Sequence, residues 1–298
     1  MSQAESNPAM AENVSSTEDL PTWSIEPRTQ GISASLREFW TYRRLLLFFS
    51  SRAVRSRYEK TTLGIFWLFA RPALPVALNI VVFGAIMGMP SDGFPYPLFM
   101  LVGITPWMVF QRGLLRVTVS VDSQANLIKK MYFPRLIVPV SYIAPALVEF
   151  AIFLVLIVAL ALVYFVKDGH WYLHTGPSLL LAALSLLIVV AVTLAVGLVS
   201  TVFQTKHFEV RFVIGYITQF WMFLTPVVYP MSQIPERFHW AIYVNPLSAP
   251  VEVFRWSVMG AGSLPVLPFV WSGILAVLFL AVAVAFFTRS EAAAVDDL

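Results

Sequence analysis

The titratable side chains of this 298-residue chain are too few and too scattered to build a catalytic centre. Glu149 is the one carboxylate well inside an apolar segment. A carboxylate in that setting either belongs to a transport path or pairs with a polar group across a helix bundle, for which Asn79 is a candidate. Proton relays usually use more than one such group, which favours pairing. His170 and His174 share i,i+4 spacing, but His207 and His239 lie elsewhere and no carboxylate cluster accompanies them, so no metal site is expected. There is no Gly-x4-Gly-Lys-Ser/Thr loop to cradle phosphates, no His-Glu-x-x-His to hold zinc, and no Gly-x-Ser-x-Gly to present a nucleophile. Cysteine is absent, which removes disulfides, thiolate metal sites and cysteine nucleophiles. No cofactor is expected on this chain.

The elements around these residues are long and apolar. Residues 65–88, 97–110, 136–166, 179–203, 212–229 and 266–287 form six such stretches. A hydrocarbon core of about 30 Å needs about 20 helical residues to cross. The second stretch is short as drawn and must take in Arg112 and Arg116 near its inner end. Lipid offers the backbone no hydrogen bonds, so each stretch is expected to be a helix. With the N-terminus in the cytoplasm, 17 of the 20 lysines and arginines face inward. Only Lys167, Arg237 and Arg255 then fall outside, a strong positive-inside bias that puts both termini in the cytoplasm. The expected fold is therefore an all-α integral membrane protein with six transmembrane helices. The same bias, with anionic headgroups, accounts for the net charge of +3, so no nucleic-acid partner is expected. No repeat of fixed period is visible, which argues against an inverted-repeat transporter.

Organisation outside the spans is uneven. Residues 1–35 carry Glu5, Glu12, Glu18, Asp19 and Glu26 among Ser, Pro and Asn, the composition of a disordered acidic tail and not of a signal peptide. Residues 36–60 mix apolar residues with Arg37, Arg43, Arg44, Arg52, Arg55 and Arg57, which suits an amphipathic helix in the inner interface or a solvated basic entry to the first span. Residues 61–288 form the six-span membrane domain and 289–298 a short cytoplasmic tail. The connection 122–135 is short, basic and partly apolar, with Pro134 marking the boundary before the third span. The outer segment 230–265 is too apolar for a free loop and is cut by Pro235, Pro246 and Pro250. Two short re-entrant helices covered by protein would explain it, as would a loop packed on the outer rim.

Three segments resemble the permease subunits of ATP-binding-cassette exporters for bacterial surface polysaccharides, the Wzm-like and TagG-like O-antigen and teichoic-acid permeases. "RAVRSRYEKTTLGIFWLFARP" from Arg52 to Pro72 is similar to the family's basic helix followed by Tyr-x-x-Thr-x-Leu-Gly and a Trp ahead of Pro. "NLIKKMYFPRLIVP" from Asn126 to Pro139 resembles its cytoplasmic coupling helix. "TPVVYP" and "YVNPLSAPVEVFRW", within residues 225–256, resemble the end of the fifth span and the outer re-entrant helices. The resemblance implies a homodimer with two nucleotide-binding cassette subunits, ATP and Mg on those partners, and a lipid-linked glycan moved across the bacterial inner membrane. It assigns ATPase coupling to Arg52, Arg55, Arg57, Tyr58, Asn126, Leu127, Ile128, Lys129, Lys130 and Arg135.

Sugars stack their C–H faces on aromatic rings, so Tyr96, Trp107, Phe110, Trp221, Tyr229, Trp240 and Tyr243 are candidates for a glycan path. Phe223 joins them as a ring of the same kind. Trp and Tyr also gather at membrane interfaces without any substrate. Gln219 and Thr225 add polar groups to the fifth stretch, which either line that path or bond between helices. Gly84 and Gly88 form a Gly-x-x-x-Gly that permits close helix approach. Spans one and five are accordingly expected near a dimer axis. An integral-membrane enzyme of lipid-linked glycan assembly or a secondary transporter is the alternative. The first would need a carboxylate pair or His/Arg cluster near one interface, and the second several buried ionisable groups.

Overall fold

The computed structural model of the protein describes residues 41–58, 65–128 and 133–296, and those residues are all-helical. The expected acidic tail at 1–35 lies outside them, as do Lys129 and Lys130. Helix α1 (Arg43–Tyr58) precedes α2 (Ile65–Asn79), which continues into a π-helical stretch, Ile80–Ile86. Helix α3 (Tyr96–Thr118) ends in two single turns, α4 (Ser120–Ser123) and α5 (Ala125–Ile128). Then come α6 (Ile137–Ser141), α7 (Ala144–Asp168), α8 (Leu179–Lys206) and α9 (Val210–Leu224). The chain closes with α10 (Trp240–Val244), α11 (Ser248–Met259) and α12 (Val266–Asp296).

Helix α3 is the centre of the bundle, packed against α7, α8 and α11, with α12 on the far side of α8. Residues 98–110 are buried without interruption. A helix buried all round meets protein and not lipid, so it can carry Thr105, Arg112 and Arg116 where a lipid-facing helix could not. That explains why the second apolar stretch reads as short: its true extent is 96–118, and its neighbours tolerate its polar residues. The outer helices are the reverse. Leu154, Val155, Val158 and Val163 of α7 and Val270, Ile274 and Val277 of α12 are exposed apolar side chains, as expected when the solvent is acyl chain.

Among the described residues four helices are long and apolar enough to cross a membrane: Tyr96–Thr118, Ile137–Asp168, Leu179–Lys206 and Val266–Ser290. Pro72–Ile86 and Val210–Leu224 are shorter apolar helices. Fifteen residues of α-helix reach about 22 Å, less than a full hydrocarbon core. The fifth stretch ends early for a local reason. Pro226 has no N–H, and the residue before a proline is pushed out of the α region, so Thr225 is extended at φ −105°, ψ 138°. Residues 225–229 leave the helix as irregular chain, with 225–228 buried in protein.

The segment 230–265 holds two single 3₁₀ turns, Met231–Gln233 and Glu236–Phe238, and then α10 and α11. Helix α11 is enclosed by α3, α8 and α12. Burial of Val251, Val253, Phe254 and Val258 in that shell accounts for the apolar character of the segment.

Candidate functional site

The unwound end of α9 is the most heavily cross-linked polar region of the described structure. A carbonyl freed from a helix and buried must find a donor elsewhere. Arg255 supplies two: one guanidinium nitrogen donates to the carbonyls of Pro226 at 2.8 Å and Val227 at 2.9 Å. The other terminal nitrogen pairs with Glu252 one turn back at 2.5 Å. The guanidinium also lies 4.0 Å over the Phe99 ring, a cation–π contact. Tyr96 donates from its hydroxyl to Val228 at 3.0 Å. Asn245 closes the set. Its amide nitrogen donates to the Thr225 hydroxyl at 2.9 Å, and its oxygen accepts from the Trp221 indole at 3.1 Å and from the backbone N–H of Leu247.

Arg255, expected from its segment to be an outer charge, is not a solvent-facing one. It is fully buried, and Glu252 beside it is 1% exposed. Gly103 on α3 faces the guanidinium so closely that an added Cβ would collide with it. The readable signal was a Glu and an Arg three residues apart within an apolar run, 249–259, which only a paired, buried geometry explains.

A second ionic cluster joins α3 to α7. Glu149 accepts from Arg112 at 2.6 Å and from Arg116 at 2.5 Å. Its expected partner Asn79 instead donates back to the carbonyl of Pro75 within α2. Two arginines one turn apart on α3 thus share a carboxylate that is 4% exposed. We expect Glu149→Ala to destabilise the protein by about 2–4 kcal/mol, because both guanidinia lose their carboxylate, with Glu149→Gln intermediate. Thermal unfolding in detergent measures this. Activity should fall only in step with the folded fraction; a larger fall would give Glu149 a role beyond pairing.

The aromatic candidates separate by burial. Trp107 and Phe110 have no exposed surface; their rings lie 5.2 Å apart, and Phe110 meets Trp221 edge-on at 5.2 Å. They are core, and a wall residue needs a surface they lack here. Thr225 is likewise buried. Tyr96 is half-buried, its ring occupying the space left by Gly84, so the small residue at 84 serves a contact inside the protomer. Tyr229 is half-buried and donates to Phe223 at 2.9 Å. Gln219, Phe223, Trp240 and Tyr243 are exposed. The structure therefore brings Tyr96, Trp221, Thr225 and Tyr229 together at the unwound segment and leaves Gln219, Trp240 and Tyr243 on the surface.

The coupling candidates come together differently. Phe49 of α1 packs on Phe133 at 5.5 Å between ring centres, and Leu127 and Ile128 join the same small cluster with Ile137 and Val138. Arg52, Arg55 and Asn126 are exposed beside it, and Arg135 is half-buried. Arg57 and Tyr58 close α1. The basic helix and the second connection thus form one surface.

Residues 44–259 match the family described as ABC-2 type transporter. The chain belongs to that family. In it, ATP hydrolysis resides on a separate subunit, and the membrane chain partners an ATP-binding cassette protein. The chain is a multi-pass membrane protein. It is 28% identical over 204 residues to the O-antigen export system permease protein RfbA of Myxococcus xanthus, covering 68% of this chain and 74% of that one. The Klebsiella pneumoniae protein of the same name is 26% identical over 71% of this chain and 78% of its own. The polysialic acid transport protein KpsM of Escherichia coli is 28% identical over 70% of this chain and 78% of its own.

Proposed function

We propose that this chain is the permease subunit of an ATP-driven exporter that moves lipid-linked polysaccharide across the bacterial inner membrane. The family match across 44–259 carries the reading, supported by relatives named for O-antigen and polysialic acid transport. The working unit is a homodimer with two cassette subunits that hold ATP and Mg. Each chain has six spans, counting the two shorter apolar helices, and both termini are cytoplasmic. Helix α1 lies in the inner interface, and α10 and α11 re-enter the membrane from outside. Arg52, Arg55, Arg57, Tyr58, Asn126, Leu127, Ile128, Lys129, Lys130 and Arg135 face the cassette.

The homodimer would join two exposed apolar surfaces: Leu78 of α2 with Val81 and Val82 of the π-helical stretch, and Phe212, Tyr216 and Phe220 of α9. Between them the path is flanked by Gln219, Trp221, Tyr229, Trp240 and Tyr243, with Tyr96 behind. Weak stacking at many rings lets a polymer bind without being held.

The expected result of deleting the gene is loss of the surface glycan, with its lipid-linked form retained inside, and the tagged chain should co-purify with an ATPase. Val82→Cys and Phe220→Cys should cross-link to their symmetry mates. A chain that recruits no ATPase and whose loss leaves the surface glycan intact overturns the reading.

A further inference from the structure

Helix α9 is fastened mainly at its two ends. Of its side chains only Thr218 and Met222 are buried, while Phe212, Tyr216, Phe220 and Leu224 are exposed. The outer end is pinned by Asn245 and Arg255. The inner end is pinned by Gln204, a side chain 3% exposed near the end of α8. Its Oε1 accepts from the backbone N–H of Arg211 at 2.9 Å, one of the first-turn donors that an α-helix leaves without an internal partner. Its Nε2 donates to Oδ2 of Asp122 in α4 at 3.1 Å. Only one orientation of the amide satisfies both neighbours, since a carboxylate accepts and a backbone N–H donates.

The same face of α8 is tied to α3 just before it. Gly197 sits against the Val117 side chain, and the Thr201 hydroxyl lies 2.8 Å from the carbonyl of Val117. The turn at 207–209 already joins α8 to α9 covalently. What Gln204 adds is a directed bond from both to the cytoplasmic connection at 120–128. Apolar contacts, such as those of Ile214 and Trp221 with the core, slide, whereas a hydrogen bond of fixed direction does not.

We infer that Gln204 is a transmission residue, carrying displacement of the 120–128 connection to the start of α9 and so to the pinned outer end. This rests on the exporter reading, in which that connection touches the cassette subunit. The test uses the full chain in complex with its cassette partner, with Tyr216→Cys as a reporter in a protein that has no other cysteine. In the parent complex the labelling rate at 216 should change between the nucleotide-free and ATP-trapped states.

Gln204→Glu replaces the donor with a carboxylate facing Asp122. It should abolish that change and lower glycan exported per ATP by about 10–150-fold, the range that loss of a hydrogen bond to a charged group corresponds to. Adding Asp122→Asn reverses the polarity of the bond, since an amide at 122 can donate to a carboxylate at 204. Both readouts should then recover. Should Gln204→Glu fail to assemble, Asp122→Ala cuts the link from its exposed end and should give the same loss. A parent that recruits no ATPase overturns the exporter reading and this inference with it. A parent that exports, with Gln204→Glu or Asp122→Ala equally active or with the double variant no better than the single, overturns the transmission role alone.

Discussion

Arg255→Ala is expected to destabilise the protein by about 3–5 kcal/mol, because removing one partner of a buried ion pair leaves the other charge without compensation. Three acceptors lose their donor together: the Glu252 carboxylate and the carbonyls of Pro226 and Val227. The Phe99 ring loses its cation as well. Arg255→Lys should rescue little, since one ammonium cannot reproduce a planar fork that serves a carboxylate with one nitrogen and two carbonyls with the other. Glu252→Ala should cost less, because Arg255 keeps both carbonyls and the ring. The Glu252→Ala, Arg255→Ala pair should cost less than the sum of its parts. The measurement is the unfolding midpoint in detergent together with the amount of chain recovered from membranes. An Arg255→Ala protein that matches the parent within about 0.5 kcal/mol would remove this residue from the frame of the site.

Replacing Asn126, Leu127 and Ile128 with glycine should lower export by about 5–150-fold, the range that coupling free energies of 1–3 kcal/mol span. These residues form a single helical turn whose Leu127 and Ile128 join the cluster of Phe49, Phe133, Ile137 and Val138. Gln124 just before it donates to the Tyr142 hydroxyl at 2.8 Å, so the turn is held at one edge and leaves Asn126 facing outward. Glycines remove the apolar contacts and the helical preference together, at roughly 1 kcal/mol per residue for the latter. The long helices share few contacts with this turn, so the chain should still insert and fold. Glycan exported per ATP hydrolysed is the quantity to measure. Unchanged export from a complex that assembles normally would remove the coupling role from 126–128.

Several features were legible in the chain because their causes are local. Long apolar runs in lipid have no choice but helix. The fifth apolar stretch runs through Pro226 to 229, whereas its helix stops at Leu224. A basic helix ahead of the first span and short helices in the outer segment followed from composition and proline spacing. Pairings across the bundle were not legible. Glu149 finds Arg112 and Arg116, 37 and 33 residues away, and not Asn79. Arg255, read from sequence as an outer charge, is the buried hub of the unwound segment, and Gly84 accommodates Tyr96 within its own protomer. Trp107 and Phe110 look identical in sequence to aromatics that could line a path, yet α3 turns them into the core. Each of these outcomes depends on the depth and rotation of one helix against another. Hydropathy averages over a window and carries no phase between helices, so the sequence alone determined a helical membrane chain with no ATPase motif. Only packing decided which charges meet, which rings are hidden, and where the broken end of α9 is held.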